Sequence, residues 1–116
     1  MRTSKNSLHP SIKKEIHNTF TKTISDLGSP EQIDKFLNGL LKETEYEMLT
    51  KRLAVIYWLR KGRSYKNIQN NLKVSSATIA SIQQSMDDPG IKLAIKHLEA
   101  DEWANQWAER FKKLIG

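Results

Sequence analysis

The amino-acid sequence predicts an all-α fold, and three observations lead to that class. Apolar residues recur every three or four positions over most of the 116 residues. Alternating runs of Val, Ile and Thr, which are typical of half-buried strands, are not found. Residues that favour the start or the end of a helix separate the apolar segments. We therefore expect five or six short helices.

Capping residues divide the first part of the chain into three helices. The first helix carries one apolar stripe, formed by Ile12, Ile16, Phe20, Ile24 and Leu27. Gly28 is placed to end it, and Ser29 with Pro30 is typical of the start of a second, short helix that Gly39 ends. Thr44 begins another capping pattern, which predicts a third helix.

The third helix contains LAVIYWL, residues 53–59, and is followed by Gly62. This stretch is apolar on every face, and such a helix has to be covered on all sides. Because the chain offers few other helices as cover, we expect a second subunit to supply the rest. A central core helix of a monomer is the alternative interpretation.

The C-terminal helical segment is predicted over residues 89–115. Asp88 is placed to cap it and Pro89 to occupy its first position. It is either one kinked helix or two, with Asp101 as a candidate second cap. An aromatic ridge at helical spacing follows, made of Trp103, Trp107 and Phe111. Core packing or a dimer contact is its default interpretation, and a docking surface for another protein is the alternative.

Composition places the chain among globular proteins of one domain. Hydrophobic residues make up 38% and charged residues 28% of the sequence. We expect a flexible tail at residues 1–8 and a single domain at 9–116. No run approaches the roughly 20 apolar residues that cross a bilayer, and the N-terminus lacks the apolar region of a signal peptide. A cytoplasmic protein without a membrane partner is expected.

The sequence carries no signature of an enzyme, a cofactor or a metal site. Cysteine is absent, which excludes disulfides and thiolate ligands. The five glycines stand far apart, at 28, 39, 62, 90 and 116, so that none belongs to a phosphate-binding loop. His9, His17 and His97 are isolated and do not have the spacing of paired metal ligands. We expect a protein that is not an enzyme.

Positive charge is concentrated in residues 61–86. The chain holds 19 Lys and Arg against 13 Asp and Glu, for a net charge of +6. Within 61–86 there are four basic residues and no acidic one. A local field of one sign attracts polyanions. An ordinary solvated face is the alternative interpretation.

Residues 64–86 divide into two short helices joined by a tight turn. Ser64 is placed to cap the first and Ser75 the second, with Lys73 and Val74 between them. Helical spacing predicts five buried side chains, Tyr65, Ile68, Leu72, Ile79 and Ile82. This arrangement is typical of a helix-turn-helix, although the turn usually contains Gly where this chain has Lys73.

The residue types on these helices fit double-stranded DNA. A helix that enters the major groove is slim at its leading end and offers donors, acceptors or methyl groups to base edges. The candidate base-contacting residues are Ser76, Ala77, Ala80, Ser81, Gln84 and Gln69. The candidate phosphate-contacting residues are Lys61, Arg63, Lys66, Lys73, Ser75 and Thr78.

Three stretches of the chain together resemble a known family. They are TISDLGSPEQIDKFLNGLL at residues 23–41, EMLTKRLAVIYWLRKGRSYKNI at 47–68 and VSSATIASI at 74–82. These stretches resemble the Trp repressor superfamily, and the last is similar to the recognition-helix signature of its YerC/YecD group. The resemblance implies an intertwined all-α homodimer that binds operator DNA and regulates transcription, with repression as the expected effect.

The resemblance also implies an effector pocket, for which Arg52 and Ser85 are the candidates. Arg52 matches one of two arginines with which Trp repressor holds L-tryptophan. The second arginine aligns with Ser81, and the glycine beside it aligns with the bulky Ile82. A site that has lost a charged partner and gained a bulky side chain should hold tryptophan poorly. We expect DNA binding without tryptophan control, and any other effector is left open.

Two other functions are alternatives. One is a helical adaptor that binds protein and keeps the fold but not DNA binding. The other is an RNA-binding protein, for which the basic segment offers only Tyr65 as a stacking residue. Arg52 also has a structural interpretation, an ion pair with Glu45 or Glu47.

Overall fold

The computed structural model describes residues 7–115, apart from the side chains of residues 102–105, 108 and 115. Over this range the chain forms seven α-helices and no strand, which confirms the all-α class. The helices are α1 (Pro10–Leu27), α2 (Pro30–Leu40), α3 (Glu43–Arg60), α4 (Tyr65–Leu72), α5 (Ser76–Gln84), α6 (Pro89–Ala100) and α7 (Glu102–Ile115). The expected count of five or six is too low, because the C-terminal segment is divided at Asp101.

Two helices, α1 and α2, form a first compact unit that ends at Glu43. Gly28 ends α1 in the left-handed conformation, with φ of 72°, which glycine adopts without steric cost. The Ser29 hydroxyl then accepts a hydrogen bond from the Gln32 backbone N–H at 3.2 Å and caps α2 as predicted. The rings of Phe20 and Phe36 pack with their centroids 6.3 Å apart.

Two predicted helix boundaries, the end of the second helix and the start of the third, are wrong by one residue. The second helix passes through Gly39 and ends at Leu40, after which the backbone N–H of Leu41 bonds to the Leu37 carbonyl. The third helix begins at Glu43, so Thr44 lies inside it and does not cap it. The part of the predicted N-terminal tail at residues 1–6 lies outside the described residues.

The second unit begins at Thr44 and contains the buried core of the described residues. The core comprises Val55, Ile56, Tyr57, Trp58, Ile68, Leu72, Ile79, Ile82 and Ile95. Four successive residues of α3, 55–58, are at most 7% exposed in the single chain. The expectation that a second subunit covers this stretch is therefore wrong for these four residues. The chain itself covers them through packing partners that are distant in the sequence.

Two helices, α6 and α7, complete the second unit. Asp88 caps α6 by accepting a hydrogen bond from the Gly90 backbone N–H at 2.9 Å, as predicted. The backbone N–H of Asp101 bonds to the His97 carbonyl at 3.1 Å, and α7 begins at the next residue. Outside the core, Arg60 at the end of α3 donates to Glu99 on α6 at 2.8 Å.

Part of the aromatic ridge packs against the core. The Phe111 ring meets the Trp58 ring edge to face at 5.0 Å, and Trp107 lies 4.6 Å from Phe111 between centroids. Trp107 and Phe111 are both half-buried. The side chain of Trp103 lies outside the described residues. Core packing is thus confirmed for Phe111. No helix in the described range has both the length and the apolar character needed to cross a bilayer.

Candidate nucleic-acid interface

Helices α4 and α5 lie in residues 61–86, the segment that contains four basic residues and no acidic one. The Ser64 hydroxyl accepts from the Asn67 backbone N–H, and the Ser75 hydroxyl accepts from the Thr78 backbone N–H, each at 3.1 Å. Both predicted caps are confirmed. The inner side chains are Ile68, Leu72, Ile79 and Ile82, none more than 8% exposed. Since three residues separate the two helices, both are held in one small core.

Tyr65 is the exception among the predicted buried residues, because it is 38% exposed. It occupies the first position of α4, one turn before Ile68, where the buried stripe of that helix begins. Its ring is consequently part of the surface beside Lys66. Asn70 is also exposed, and its spacing of four residues from Lys66 places both on one face of α4.

The turn after α4 places a lysine in a conformation that glycine usually adopts. Lys73 has φ of 57° and ψ of 50°, and its backbone N–H bonds to the Gln69 carbonyl at 3.0 Å. A left-handed residue with a side chain costs about 1–2 kcal/mol. The turn therefore forms without Gly, and Lys73 presents an exposed ammonium group at the junction of the two helices.

The outer face of α5 is exposed and contains no acidic residue. All five candidate base-contacting residues of this helix are exposed, namely Ser76, Ala77, Ala80, Ser81 and Gln84. Because Ile79 and Ile82 are fully buried on the opposite face, the outer face has a fixed orientation relative to the core. Gln69, the candidate on α4, is half-buried.

The candidate phosphate-contacting residues fall into two groups. Lys61, Lys66, Lys73 and Ser75 are exposed, whereas Arg63 and Thr78 are half-buried. The Arg63 guanidinium lies over the Trp58 ring at 4.3 Å and donates to the Asn67 side-chain oxygen at 3.1 Å. Arg63 thus packs against the core in addition to any contact with phosphate. The Ser75 and Thr78 hydroxyls bond to each other at 2.9 Å, which orders the start of α5.

The two residues of the candidate effector pocket have different surroundings. Arg52 is exposed, and Glu47 pairs with Lys51 at 3.6 Å rather than with Arg52. The Ser85 hydroxyl donates to the Ile82 carbonyl at 2.8 Å at the end of α5. Ile82, which the resemblance to Trp repressor places at the glycine of the tryptophan site, is 1% exposed and belongs to the core.

Comparison with known proteins identifies the family. A family model described as Trp repressor protein matches residues 15–99, which includes α2 to α5, most of α1 and all but the last residue of α6. Members of this family are regulatory DNA-binding proteins and not enzymes. No curated protein and no solved structure matches the chain. Because the matched residues make up well over half of the 116 residues, the chain belongs to the Trp repressor family.

Proposed function

We propose that the chain is a transcriptional repressor that binds a specific double-stranded DNA sequence as a homodimer. The helix-turn-helix of residues 64–86 makes the contact, with α5 as the recognition helix. The observation that carries this proposal is the outer face of α5, which is exposed, small and free of acidic residues while its inner face is buried. The similarity of residues 74–82 to the YerC/YecD signature supports a place in that group.

The size and polarity of α5 suit the major groove. The groove is about 12 Å wide, so a helix with small residues at its leading end can approach the base edges closely. Ser76, Ala77, Ala80 and Ser81 provide hydroxyl and methyl groups for such contacts, and Gln84 provides an amide that can bond to adenine in a bidentate way. Gln69 on α4 completes the proposed base-contacting set.

The cations that precede α5 suit phosphate groups beside the groove. Lys61, Lys66 and Lys73 are exposed, and no acidic residue lies within 61–86 to offset them. Ser75 and Thr78 at the start of α5 add hydroxyl groups near the free N–H groups of the helix, where anions are favoured. These contacts fix the position of the helix without selecting a sequence.

Two exposed apolar surfaces support the homodimer. On α1, Ile12, Ile16 and Phe20 are spaced by four residues and are 45–49% exposed. On α3, Met48, Leu49 and Leu53 are 40–51% exposed. Apolar side chains clustered in this way usually mark an interaction surface. We assign both surfaces to the contact with a second copy of the chain, in the intertwined manner of the family.

A charged substitution on the exposed apolar surface of α1 tests the proposed dimer. Ile16→Glu should convert the dimer to a monomer, because it places a carboxylate in a contact from which water is excluded. Asn18→Glu is the matched control, since its position two residues away lies on the opposite side of α1. Molar mass by light scattering distinguishes the forms. A monomeric parent protein, or a dimer that survives Ile16→Glu, contradicts the assignment.

Tryptophan is not proposed as the corepressor. Ser81 supplies no cation opposite Arg52, and Ile82 leaves no space of the kind that a glycine provides. A carboxylate held by one arginine instead of two loses a charge-assisted pair of hydrogen bonds. DNA affinity should therefore be the same with and without L-tryptophan.

The experiment that tests the function is selection of duplex DNA from a random pool, followed by salt titration of the enriched site. We expect a palindrome with half-sites about one helical turn apart. A dimer that neutralises roughly eight phosphates gives a log-log salt slope of about −7. The titration is repeated with L-tryptophan. Failure to enrich any sequence, together with a flat slope, would favour the protein adaptor instead, and a reporter gene behind the enriched site tests repression.

Gln84 is expected to read one base pair. Gln84→Ala should relax the preference at a single position by about 1–3 kcal/mol and leave the other positions unchanged, because it removes a bidentate contact. Gln106→Ala, the same change at an exposed position of α7, is the control. Binding to a panel of sites with single base changes measures the effect. An equal loss on every site would show that Gln84 does not select bases.

A further inference from the structure

Helix α5 carries no charged side chain in its nine residues. Guanine is most often recognised in the major groove by Arg or Lys, which bonds to its O6 and N7 atoms, and the N4 amino group of cytosine bonds to Asp or Glu. Adenine instead bonds to the amide of Asn or Gln, and the C5 methyl group of thymine packs against an apolar side chain. The residue types of α5 therefore suit A·T pairs and leave G·C pairs without their usual partners.

Two alanines and a glutamine occupy the middle of the exposed face of α5. Ala77, Ala80 and Gln84 follow each other at spacings of three and four residues, which places them in one row along the helix. All three are exposed. The row lies on the side opposite Ile79 and Ile82, which are fully buried. When α5 enters a groove with its inner face on the core, this row faces the base edges.

The alanines of the row offer a methyl surface and no hydrogen-bonding group. A thymine methyl group that packs against this surface is removed from water, and burial of one such group strengthens binding by about fourfold. Ser76 and Ser81, on the two sides of the row, can bond to any base pair through their hydroxyl groups, so they do not oppose this preference. The nearest cation in the sequence is Lys73, three residues before the helix, and it is assigned to phosphate.

We infer that α5 selects an A·T-rich half-site and that thymine methyl groups are the features it recognises. Ala77 and Ala80 pack against these methyl groups, and Gln84 bonds to an adenine. This preference rests on the proposed DNA-binding function and specifies the base pairs for which that function selects. Recognition of guanine by Lys66 or Lys73 is the competing account of specificity.

Deoxyuridine is the probe, because it lacks the C5 methyl group of thymidine and keeps its pairing with adenine. Thymines of the enriched site are replaced one position at a time, in both half-sites together. At a position that an alanine contacts, the replacement should weaken binding by about fourfold per half-site and by roughly fifteenfold in the palindrome. At the same position, 5-methylcytosine should bind more tightly than cytosine by the same factor. Equal binding of the thymine and deoxyuridine forms at every position overturns the inference.

Glycine variants assign the methyl contacts to residues. Ala77→Gly and Ala80→Gly should each abolish the difference between thymine and deoxyuridine at one position, because the partner methyl group is gone. The ratio of the two affinities is measured, so that a general loss from glycine in a helix cancels. Ala100→Gly, the same change at an exposed position of α6, should leave every ratio unchanged. Ratios that persist in both α5 variants overturn the contact with alanine.

An inosine–cytosine pair distinguishes the two grooves. It presents the groups of G·C in the major groove, but it resembles A·T in the minor groove because inosine lacks the N2 amino group. At positions that are sensitive to deoxyuridine, we expect inosine–cytosine to be bound as weakly as G·C. A site that accepts inosine–cytosine in place of A·T would place the preference in the minor groove and overturn the role of α5.

A gained guanine contact provides a further test. Gln84→Arg should change the preferred base at one position from adenine to guanine, because a guanidinium group bonds to O6 and N7 together. Gln83→Arg is the matched control, since it adds the same charge at an exposed residue that lines the same surface pocket as Lys92 and Lys96 of α6. The control should keep the base preference of the parent. An unchanged preference in Gln84→Arg contradicts the placement of the row on the bases.

Selection from the random pool separates this preference from the proposed function. We expect the pool to enrich a half-site of mainly A·T pairs. Enrichment of a half-site made of G·C pairs contradicts the A·T preference alone, because specific binding to duplex DNA is then retained. A pool that enriches no duplex contradicts the proposed function and the preference together.

Discussion

Combined replacement of Lys66 and Lys73 by alanine is expected to weaken binding to every duplex sequence by roughly a thousandfold at about 0.1 M salt. Both ammonium groups are exposed, one on α4 and one at the turn, and the proposed dimer carries each twice. Each phosphate contact that is lost removes about 0.9 from the magnitude of the log-log salt slope. Four lost contacts therefore reduce a slope of about −7 to about −3.5 and leave base preference unchanged.

The measurement is a salt titration of the selected site and of an unrelated duplex. Lys112→Ala with Lys113→Ala is the matched control, because it removes the same charge from exposed residues of α7 that lie beyond the family match. That pair should change the slope by less than about 1. Equal losses for the two pairs would mean that net charge alone drives binding. A loss confined to the selected site would also contradict the assignment of the two lysines to phosphate.

The double alanine variant is compared with a second variant, because Lys73 has a left-handed backbone conformation that alanine and glycine tolerate differently. Since Lys73 is left-handed, alanine at this position keeps the strained conformation and removes only the ammonium group. Lys66→Ala with Lys73→Gly removes the same charges and gives the turn the residue that it favours. Equal DNA binding by the two forms shows that the loss comes from charge and not from a distorted turn.

Helix boundaries were predictable where the determining contacts are local. The caps at Ser29, Ser64, Ser75 and Asp88 each join a side chain to a backbone N–H two or three residues away. A pattern of this length is contained in the sequence itself. The end of α1 at Gly28 was equally predictable, because a helix that ends in the left-handed conformation favours glycine at that position. Thr44 shows the limit of such patterns. It was predicted to cap α3, but the helix begins at Glu43 and Thr44 lies inside it.

The packing around Trp58 could not be predicted from local patterns. Its ring contacts Arg63 on one side and Phe111 from α7, which is 53 positions further along the chain. Nothing in the spacing of apolar residues indicates which distant ring covers a given face. For the same reason the sequence suggested that residues 55–58 need a second subunit, while the chain covers them itself.

The candidate site was more predictable than the core beneath it. Helical spacing places Ile79 and Ile82 on one side of α5, and this leaves Ser76, Ala80 and Gln84 on the other, as the structure shows. Arg63 was harder to interpret, because charge pattern alone does not reveal that its guanidinium lies on an aromatic ring. Charge and exposure together therefore favour the three lysines over Arg63 as phosphate-contacting residues.

Removal of the Ile79 side chain is expected to have a large effect on folding. Ile79 is 0% exposed, and Ile79→Ala should lower the free energy of unfolding by about 2–5 kcal/mol through lost burial and a residual cavity. With only nine residues, α5 is too short to be stable alone, since isolated helices below roughly 12–15 residues are marginal in water. Its order consequently depends on the contacts of its inner face.

Ser81→Ala separates the two faces of the same helix. Ser81 is exposed two residues from Ile79, so its replacement should change stability by no more than about 0.5 kcal/mol while altering contact with DNA. Urea midpoints at one protein concentration, with unchanged slopes, measure the difference, since a dimer's stability depends on concentration. Ile79→Ala should keep the base preference of the parent wherever it is folded. Equal stability of the two variants would show that α5 is not held by its inner face, and its outer face would then lack the fixed orientation that base recognition requires.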